Sequence, residues 1–132
     1  MLLVKTKIAP SKIAGIGLFA NEFIPKGAYI WRFKKEFDIR VDQKYPDTLP
    51  EPTKSYFKSY AYQNPKTLNY VLCTDDARFF NHSNTPNTNC VEDPDDEDTA
   101  NIAARNIQSG EELTIDYREF DADPFYGFEK KD

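Results

Sequence analysis

The feature that most constrains the fold is a succession of short runs in which apolar and polar residues alternate, each ended after a few positions by a turn signal. Ala28 to Phe33 is one such run, with Tyr29, Trp31 and Phe33 expected on one face, and Phe37 to Val41 is another. A period of two is typical of β-strands. Further runs that predict strands are 3–8, 68–73, 89–91, 100–107 and 113–117.

Helical periodicity is scarce. Thr53 to Tyr62, after three prolines in an irregular connection, is the one clear candidate, with Tyr56, Phe57 and Tyr60 expected on an apolar side that packs in the core. Strands do not alternate with long helices, which disfavours a doubly wound α/β fold. The sequence therefore predicts a mostly-β fold with several small sheets and little helix.

Length and charge restrict the partners. A chain of 132 residues predicts one domain, 1–132. The 17 basic and 22 acidic residues give a net charge of −5, which argues against direct binding to nucleic acid and favours a cationic partner such as a lysine-rich peptide. Ten Phe and eight Tyr predict an aromatic core or pocket.

The N-terminus and the cysteines are typical of an intracellular protein. The apolar start of the chain, Met1 to Val4, is interrupted at once by Lys5, so no leader and no membrane span is predicted. Cys73 and Cys90 are 17 positions apart and there is a single histidine, which supports neither a zinc site nor a disulfide framework. We expect a soluble intracellular protein with two reduced cysteines in or near its core.

Three segments carry the chemistry: Gly15 to Ala20, Arg78 to Asn87 and Gly110 to Tyr117. The middle one holds the only histidine, His82, in a loop that we expect asparagine side chains to fix by bonding the backbone. A serine hydrolase is disfavoured because there is no GxSxG motif and Ser83 directly follows His82. A buried Tyr117 at a strand end could instead orient an amine.

Two other segments are distinctive. The acidic run Glu92 to Asp98 lacks the mid-loop glycine of a calcium-binding EF-hand, so we predict a solvated hairpin loop without a metal. The tail from Phe120 to Phe128, with aromatic residues around Pro124, is too apolar for a disordered terminus, and we expect it to fold back over the rest of the chain.

Taken together, these motifs resemble those of the SET-domain protein lysine methyltransferases. Gly15-Ile16-Gly17 is similar to the family's Gly-x-Gly, Arg78 to Ser83 to its Arg-Phe-x-Asn-His-Ser core, and Gly110 to Tyr117 to its Gly-Glu-Glu-Leu-Thr-x-Asp-Tyr. The order of the motifs spans residues 13–117. Because large flanking domains are lacking, the chain most resembles the minimal, stand-alone viral and bacterial members, some of which act as dimers.

The resemblance implies a β-clip-like SET fold, with small sheets around a pseudoknot that sets the Tyr117 segment beside the histidine loop. It implies S-adenosylmethionine as cofactor, lysine in a protein substrate as methyl acceptor, and Tyr117 as the catalytic residue. The cofactor-binding residues that it implies are Gly15, Ile16, Gly17, Arg78, Asn81, His82 and Tyr117, with Arg78 bracing the loop.

The resemblance also implies a narrow lysine channel. Tyr60 is a candidate wall, as is Ile115, which stands two positions before Tyr117 where family members often carry Phe or Tyr. The cysteine-rich zinc segment that follows many SET domains is absent, so no metal is expected, and the tail at 118–132 is a candidate replacement that covers the site with Phe125, Tyr126 and Phe128. The sequence leaves open whether the protein is cytoplasmic or nuclear and whether it forms a homodimer. It also leaves open two other functions, a non-catalytic module that binds basic peptides and a methyltransferase that acts on a small amine.

Overall fold

The structure, a computed structural model, describes residues 1–126, and these form ten short strands, one α-helix and three 3₁₀ turns. This confirms the prediction of a mostly-β fold with little helix. The strands are β1 Thr6–Pro10, β2 Ile16–Ala20, β3 Tyr29–Trp31, β4 Ile39–Val41, β5 Tyr62–Gln63, β6 Tyr70–Leu72, β7 Asn81–His82, β8 Thr88–Val91, β9 Ala100–Ala103 and β10 Thr114–Ile115. The helix is α1 Thr53–Tyr60, and the 3₁₀ turns are Tyr45–Thr48, Asp76–Phe79 and Tyr117–Glu119.

The strands pair in four small sheets, as expected. β1 and β2 form an antiparallel hairpin, while β3-β9-β8 and β4-β6-β5 are antiparallel three-stranded sheets. β7 and β10 pair in parallel although they lie far apart in the chain, with Thr114 opposite Asn81 and Ile115 opposite His82. This last pair joins the histidine segment to the segment that ends at Tyr117.

Two clusters of buried side chains hold the sheets together. The larger one lies between the β1-β2 hairpin, β3 and the β9-β10 region, and the smaller one lies where β3 approaches β6. Fully burying one such leucine or isoleucine side chain contributes roughly 1.5–3 kcal/mol. The members of the larger cluster are Leu18, Ala20, Ile24, Ile30, Ala103, Ile107 and Leu113; those of the smaller are Trp31, Val71, Cys73 and Ala77.

The prediction that Tyr29, Trp31 and Phe33 lie on one face of a strand is wrong. Tyr29 is 44% exposed and Trp31 only 6%. The register between β3 and β9 shifts between these two residues, so that Tyr29 faces Ile102 whereas Trp31 faces Asn101. An extra residue on one strand of a pair breaks the period of two, because it turns the following side chain relative to the sheet.

The helix at 53–60 is confirmed, but its three aromatic residues do not share one buried face. Phe57 is 6% exposed and packs edge-on against Tyr45 and Tyr70, whereas Tyr56 is 52% exposed and Tyr60 37%. Neighbouring helical positions point about 100° apart, so Phe57 can face the core while Tyr56 and Tyr60, four residues apart, share another side.

The acidic run 92–98 connects β8 to β9 as expected, but it is not simply solvated. Asp93 is 9% exposed and Asp98 only 2%. The Arg32 guanidinium donates to both oxygens of Asp93, at 3.0 and 2.7 Å, and the Arg40 guanidinium pairs with Asp96 and Asp98. Because buried carboxylates need a counter-charge, these two arginines draw the hairpin onto the protein.

Candidate active site

The pairing of β7 with β10 places Tyr117 beside the histidine segment. The Ser83 N–H donates to the Ile115 carbonyl at 3.1 Å, and the Tyr117 N–H donates to His82 Nδ1 at 3.2 Å. The Tyr117 hydroxyl donates to the Phe80 carbonyl, one residue before β7. Tyr117 is therefore held at both ends, its backbone N–H by the His82 imidazole and its hydroxyl by the Phe80 carbonyl.

These bonds fix the tautomer of His82. Because Nδ1 accepts from the Tyr117 N–H, the ring proton of the neutral imidazole is on Nε2, which lies 3.0 Å from Asn84 Oδ1 and donates to it. The ring packs edge-on against Phe125, with ring centroids 5.1 Å apart, and lies 5.3 Å from the Tyr117 ring. The imidazole thus supports the tyrosine and presents an aromatic surface.

Tyr117 is a neutral phenol at physiological pH. Burial raises the pKa of Tyr117 to about 12, and the negative charges of Asp121 and Glu112 contribute in the same direction. A phenol in this state donates a hydrogen bond and does not act as a strong base. Its contribution to a reaction is consequently one of position.

Asn81 connects all three motifs. Its Nδ2 donates to the carbonyls of Ala14 and Ile16, at 3.1 and 3.4 Å, and to Glu112 Oε1 at 2.9 Å. Glu112 also accepts from Ser11 Oγ at 2.8 Å. One buried amide therefore ties the glycine segment to both other segments.

Asn87 fixes the end of the histidine loop, as expected from its side-chain chemistry. Its Nδ2 donates to the Glu112 carbonyl at 2.8 Å, and its Oδ1 accepts from the Thr114 N–H at 2.9 Å. The sequence did not indicate Glu112 as a site residue, although it lies within the Gly110 to Tyr117 motif, because its side-chain partners Asn81 and Ser11 are 31 and 101 positions away.

The two glycines of the first motif serve different purposes. Gly15 has φ +47°, a conformation that favours glycine, and the position where a Cβ would stand faces open space. At Gly17 a Cβ would lie 2.9 Å from Glu112 Cδ and 3.0 Å from Ser11 Cβ. Gly17 is thus required by packing inside the protein, while the open space beside Gly15 leaves room for a ligand.

A cavity of about 120 Å³ lies beside Tyr117. Of the residues expected in a channel, Tyr60, Ile115 and Tyr126 line it. Phe125 does not, because it packs on His82 and Tyr117, and Phe128 lies outside the described residues. The fold thus gathers three of the expected channel residues at one cavity with Tyr117.

The expected cofactor residues do not all lie together. Arg78 lines the cavity, where its guanidinium donates to the Tyr56 hydroxyl at 3.1 Å and lies over the Tyr60 ring. Gly15, Asn81 and His82 do not line the cavity. Tyr117 contacts His82 and also lines the cavity, so the site has two sides that meet at this tyrosine.

The cavity also holds polar side chains that the sequence did not single out. Asp121, Asp123 and Asn101 line it, together with both cysteines. Burial raises the pKa of Cys90 to about 12 and that of Cys73 further, so both free thiols stay protonated at neutral pH. The sequence does not indicate that Asp121 and Asp123 line a cavity, since aspartates near the end of a chain are commonly exposed.

Residues 1–126 contain no group of three or more His, Cys, Asp or Glu side chains that could hold a metal ion. No helix in this part of the chain is long and apolar enough to cross a membrane.

Comparison with known proteins agrees with this architecture. The SET domain family profile matches residues 15–118. A Plasmodium falciparum protein provisionally described as a histone methyltransferase is 23% identical, with a TM-score of 0.59 over 88% of this chain and 95% of that chain. A humanized mutant of the Chaetomium thermophilum Polycomb repressive complex 2, bound to an inhibitor, is 17% identical, with a TM-score of 0.66 over 92% of this chain but only 16% of that chain.

At these identities the two structural similarities concern the fold. The family profile spans most of the sequence, including all three motifs that Asn81 joins. The resemblance inferred from those motifs is thereby confirmed, and the chain belongs to the SET domain family.

Proposed function

We propose that this protein transfers a methyl group from S-adenosylmethionine to the side-chain amine of lysine in a protein substrate. The observation that carries the proposal is the position of Tyr117, whose ring packs on His82 while its residue lines the aromatic cavity. Membership of the SET domain family, and the fold shared with a Plasmodium falciparum protein provisionally described as a histone methyltransferase, support the same reaction.

The residues on the His82 side suit the cofactor. Asn81 Oδ1 accepts no hydrogen bond from residues 1–126, so an amino group could donate to it, and space is open beside Gly15. The rings of His82 and Phe125 offer an edge-on aromatic pair against which a planar base could pack. When bound there, S-adenosylmethionine supplies a methyl group on a positively charged sulfonium.

The protein's own contribution is alignment and exclusion of water. Methyl transfer to nitrogen is an in-line displacement, in which a correctly held pair of reactants gains most of its rate from orientation. Tyr117, held by the Phe80 carbonyl and by His82, has a fixed hydroxyl at the point where the two sides of the site meet. Tyr60, Tyr62, Phe80 and Phe120 make the cavity walls largely aromatic, which limits water beside the amine.

The experiment is methyl transfer from labelled S-adenosylmethionine to lysine-bearing proteins and peptides, with wild type, Tyr117→Phe and the control Tyr29→Phe. Tyr29 is 44% exposed and lies outside the cavity. We expect Tyr117→Phe to lower the rate about 10- to 100-fold, because one positioning hydrogen bond is lost, and the control to match wild type.

Absence of transfer to any lysine by folded wild type would contradict the proposal, as would a Tyr117→Phe variant as active as wild type. Binding of a basic peptide without turnover would identify a non-catalytic module instead. Calorimetry with the same peptide measures that binding directly.

A further inference from the structure

The further inference rests on the proposed function and concerns Asp121, a carboxylate in the cavity that holds Tyr117. After the 3₁₀ turn Tyr117–Glu119 the chain folds back along β5. Asp121 Oδ1 accepts from the Gln63 N–H at 3.1 Å and from the Asp123 N–H at 3.0 Å, while the Ala122 N–H donates to the Gln63 carbonyl at 2.8 Å. The carboxylate is therefore held by one oxygen in a fixed place on the cavity wall.

The second carboxylate oxygen of Asp121, Oδ2, has no hydrogen-bond or ion-pair partner among the residues that the structure describes. Within residues 1–126, Asp121 takes part in no ion pair, and Oδ2 accepts no hydrogen bond. The two cationic side chains on the cavity wall are engaged elsewhere, since Lys58 Nζ lies over the Tyr126 ring at 4.4 Å and Arg78 donates to Tyr56. Asp121 Oδ2 is therefore free to accept a hydrogen bond from a cationic ligand in the cavity.

The surroundings of Asp121 are aromatic and contain one further acid. Burial raises the pKa of Asp121, and its charge contributes to the raised pKa of Tyr117, which lines the same cavity. A cationic alkyl side chain matches such a cavity, with its stem against rings and its charge at the carboxylate. The titratable and charged groups that share the cavity with Asp121 are Lys58, Tyr60, Tyr62, Cys73, Arg78, Cys90, Tyr117, Asp123 and Tyr126.

We propose that Asp121 binds the ammonium group of the incoming lysine and takes its proton before methyl transfer. In this step one N–H bond of the ammonium breaks and an O–H bond forms on Asp121 Oδ2, which converts the ion pair into a neutral amine and a carboxylic acid. The nitrogen lone pair is then free to bond to the methyl carbon, while the electrons of the broken carbon–sulfur bond remain on sulfur.

The cavity favours this proton transfer through desolvation. In water the lysine amine, with a pKa of about 10.4, holds its proton about 6.5 units more firmly than an aspartate of about 3.9. Burial raises a carboxyl pKa and lowers an amine pKa, by up to about 3–5 units each for fully buried groups. Both changes act toward the neutral pair, so desolvation on substrate binding reduces the difference between the two pKa values.

The test is Asp121→Asn, which keeps a carbonyl oxygen for the Gln63 and Asp123 amides and replaces the charged Oδ2 with a neutral amide nitrogen. Methyl transfer to a lysine peptide is measured from pH 7 to pH 10, with Asp42→Asn, an exposed aspartate outside the cavity, as control. At pH 7 we expect kcat/KM to fall at least about tenfold, with the KM for the cofactor unchanged. The deficit should shrink as the pH approaches about 10.4, because the solution then supplies neutral amine.

A second measurement does not depend on the variant folding or on turnover. Calorimetry compares the binding of a lysine peptide to wild type with that of the same peptide carrying 6-hydroxynorleucine, a neutral side chain of equal length. We expect the lysine peptide to bind at least about tenfold more tightly at pH 7, because an ion pair to a partly buried carboxylate is lost with the hydroxyl. Equal affinity would overturn the inference.

The outcomes separate the two proposals. Active wild type with an Asp121→Asn variant that matches it at every pH would overturn the role of Asp121 and leave the proposed function intact. A deficit of the same size at pH 7 and pH 10 would also overturn it, since a structural defect does not follow the protonation of the substrate. Wild type that transfers no methyl would refute the proposed function, and the calorimetry, repeated with Asp121→Asn, would still decide whether Asp121 recognises an ammonium.

Discussion

Removal of the Asp98 carboxylate should destabilise the protein strongly, because it breaks an ion pair on the inner side of the acidic hairpin. The Asp98 side chain is 1% exposed, and that of its partner Arg40 is 21% exposed. Asp98 also accepts from Asn64 Nδ2 at 3.0 Å. Breaking a buried ion pair on one side leaves the other charge uncompensated, at a cost of about 3–5 kcal/mol.

The structure places Asp98→Ala near the lower end of that range. Arg40 keeps Asp96, whose side chain is 18% exposed, and Glu97 at 3.4 Å, so its charge is not left without a partner. Asn64 Nδ2 keeps the Glu97 carbonyl at 3.2 Å. We therefore expect a loss of about 3 kcal/mol, which is a large part of the stability of a domain whose total is roughly 5–15 kcal/mol.

Urea unfolding measures the effect, and Asp95→Ala is the control. Asp95 pairs with Arg32 but its side chain is 81% exposed, and Arg32 keeps Asp93, so the control should be close to wild type. With an m-value of about 1–3 kcal/mol/M, the midpoint for Asp98→Ala should fall by roughly 1–3 M at unchanged m. A midpoint equal to that of the control would refute the account of the hairpin as held by a buried ion pair.

Two further predictions concern the site. The Arg118 guanidinium lowers the pKa of the Asp116 carboxyl from its ordinary 3.8 to about 2, so this ion pair stabilises the fold above pH 3.8 and the stabilisation is lost as the pH falls through about 2. In urea titrations at stepped pH, the free energy of unfolding of Asp116→Asn should therefore fall less than that of wild type over this range. An equal fall in the two proteins would contradict the prediction. Gly17→Ala should destabilise by about 1–3 kcal/mol through overpacking against Glu112, and the double variant with Glu112→Ala should recover part of that loss. Purely additive losses in this cycle would contradict the packing explanation.

Local patterns predicted the elements more reliably than their ends. The helix at 53–60 and the sheet-forming runs occur where the periodicity predicted them, yet the first strand is Thr6–Pro10 instead of 3–8. In the run at 100–107 the strand ends at Ala103, and Ile107 forms an isolated bridge with Ile24. A strand ends where its partner ends, and the position of the partner is not a local property of the sequence.

Burial was predicted less well than secondary structure. The side chain of Asp98 is buried because Arg40, 58 positions earlier, supplies its counter-charge, and Tyr29 is exposed because a register shift against β9 turns it outward. Neither cause is visible in the neighbouring residues of the chain. The importance of Glu112 and Asp121 was missed for the same reason.

By itself, the sequence determined the class of fold, the acidic balance and the three motifs that indicate a SET domain, because periodicity, charge and motif spacing are properties of consecutive residues. The tertiary structure alone decided which carboxylates leave water, how Asn81 joins three distant segments and which side chains share a cavity with Tyr117. Desolvation and hydrogen bonding depend on neighbours in space, and in this protein many of those neighbours are 30 to 100 positions apart in the chain.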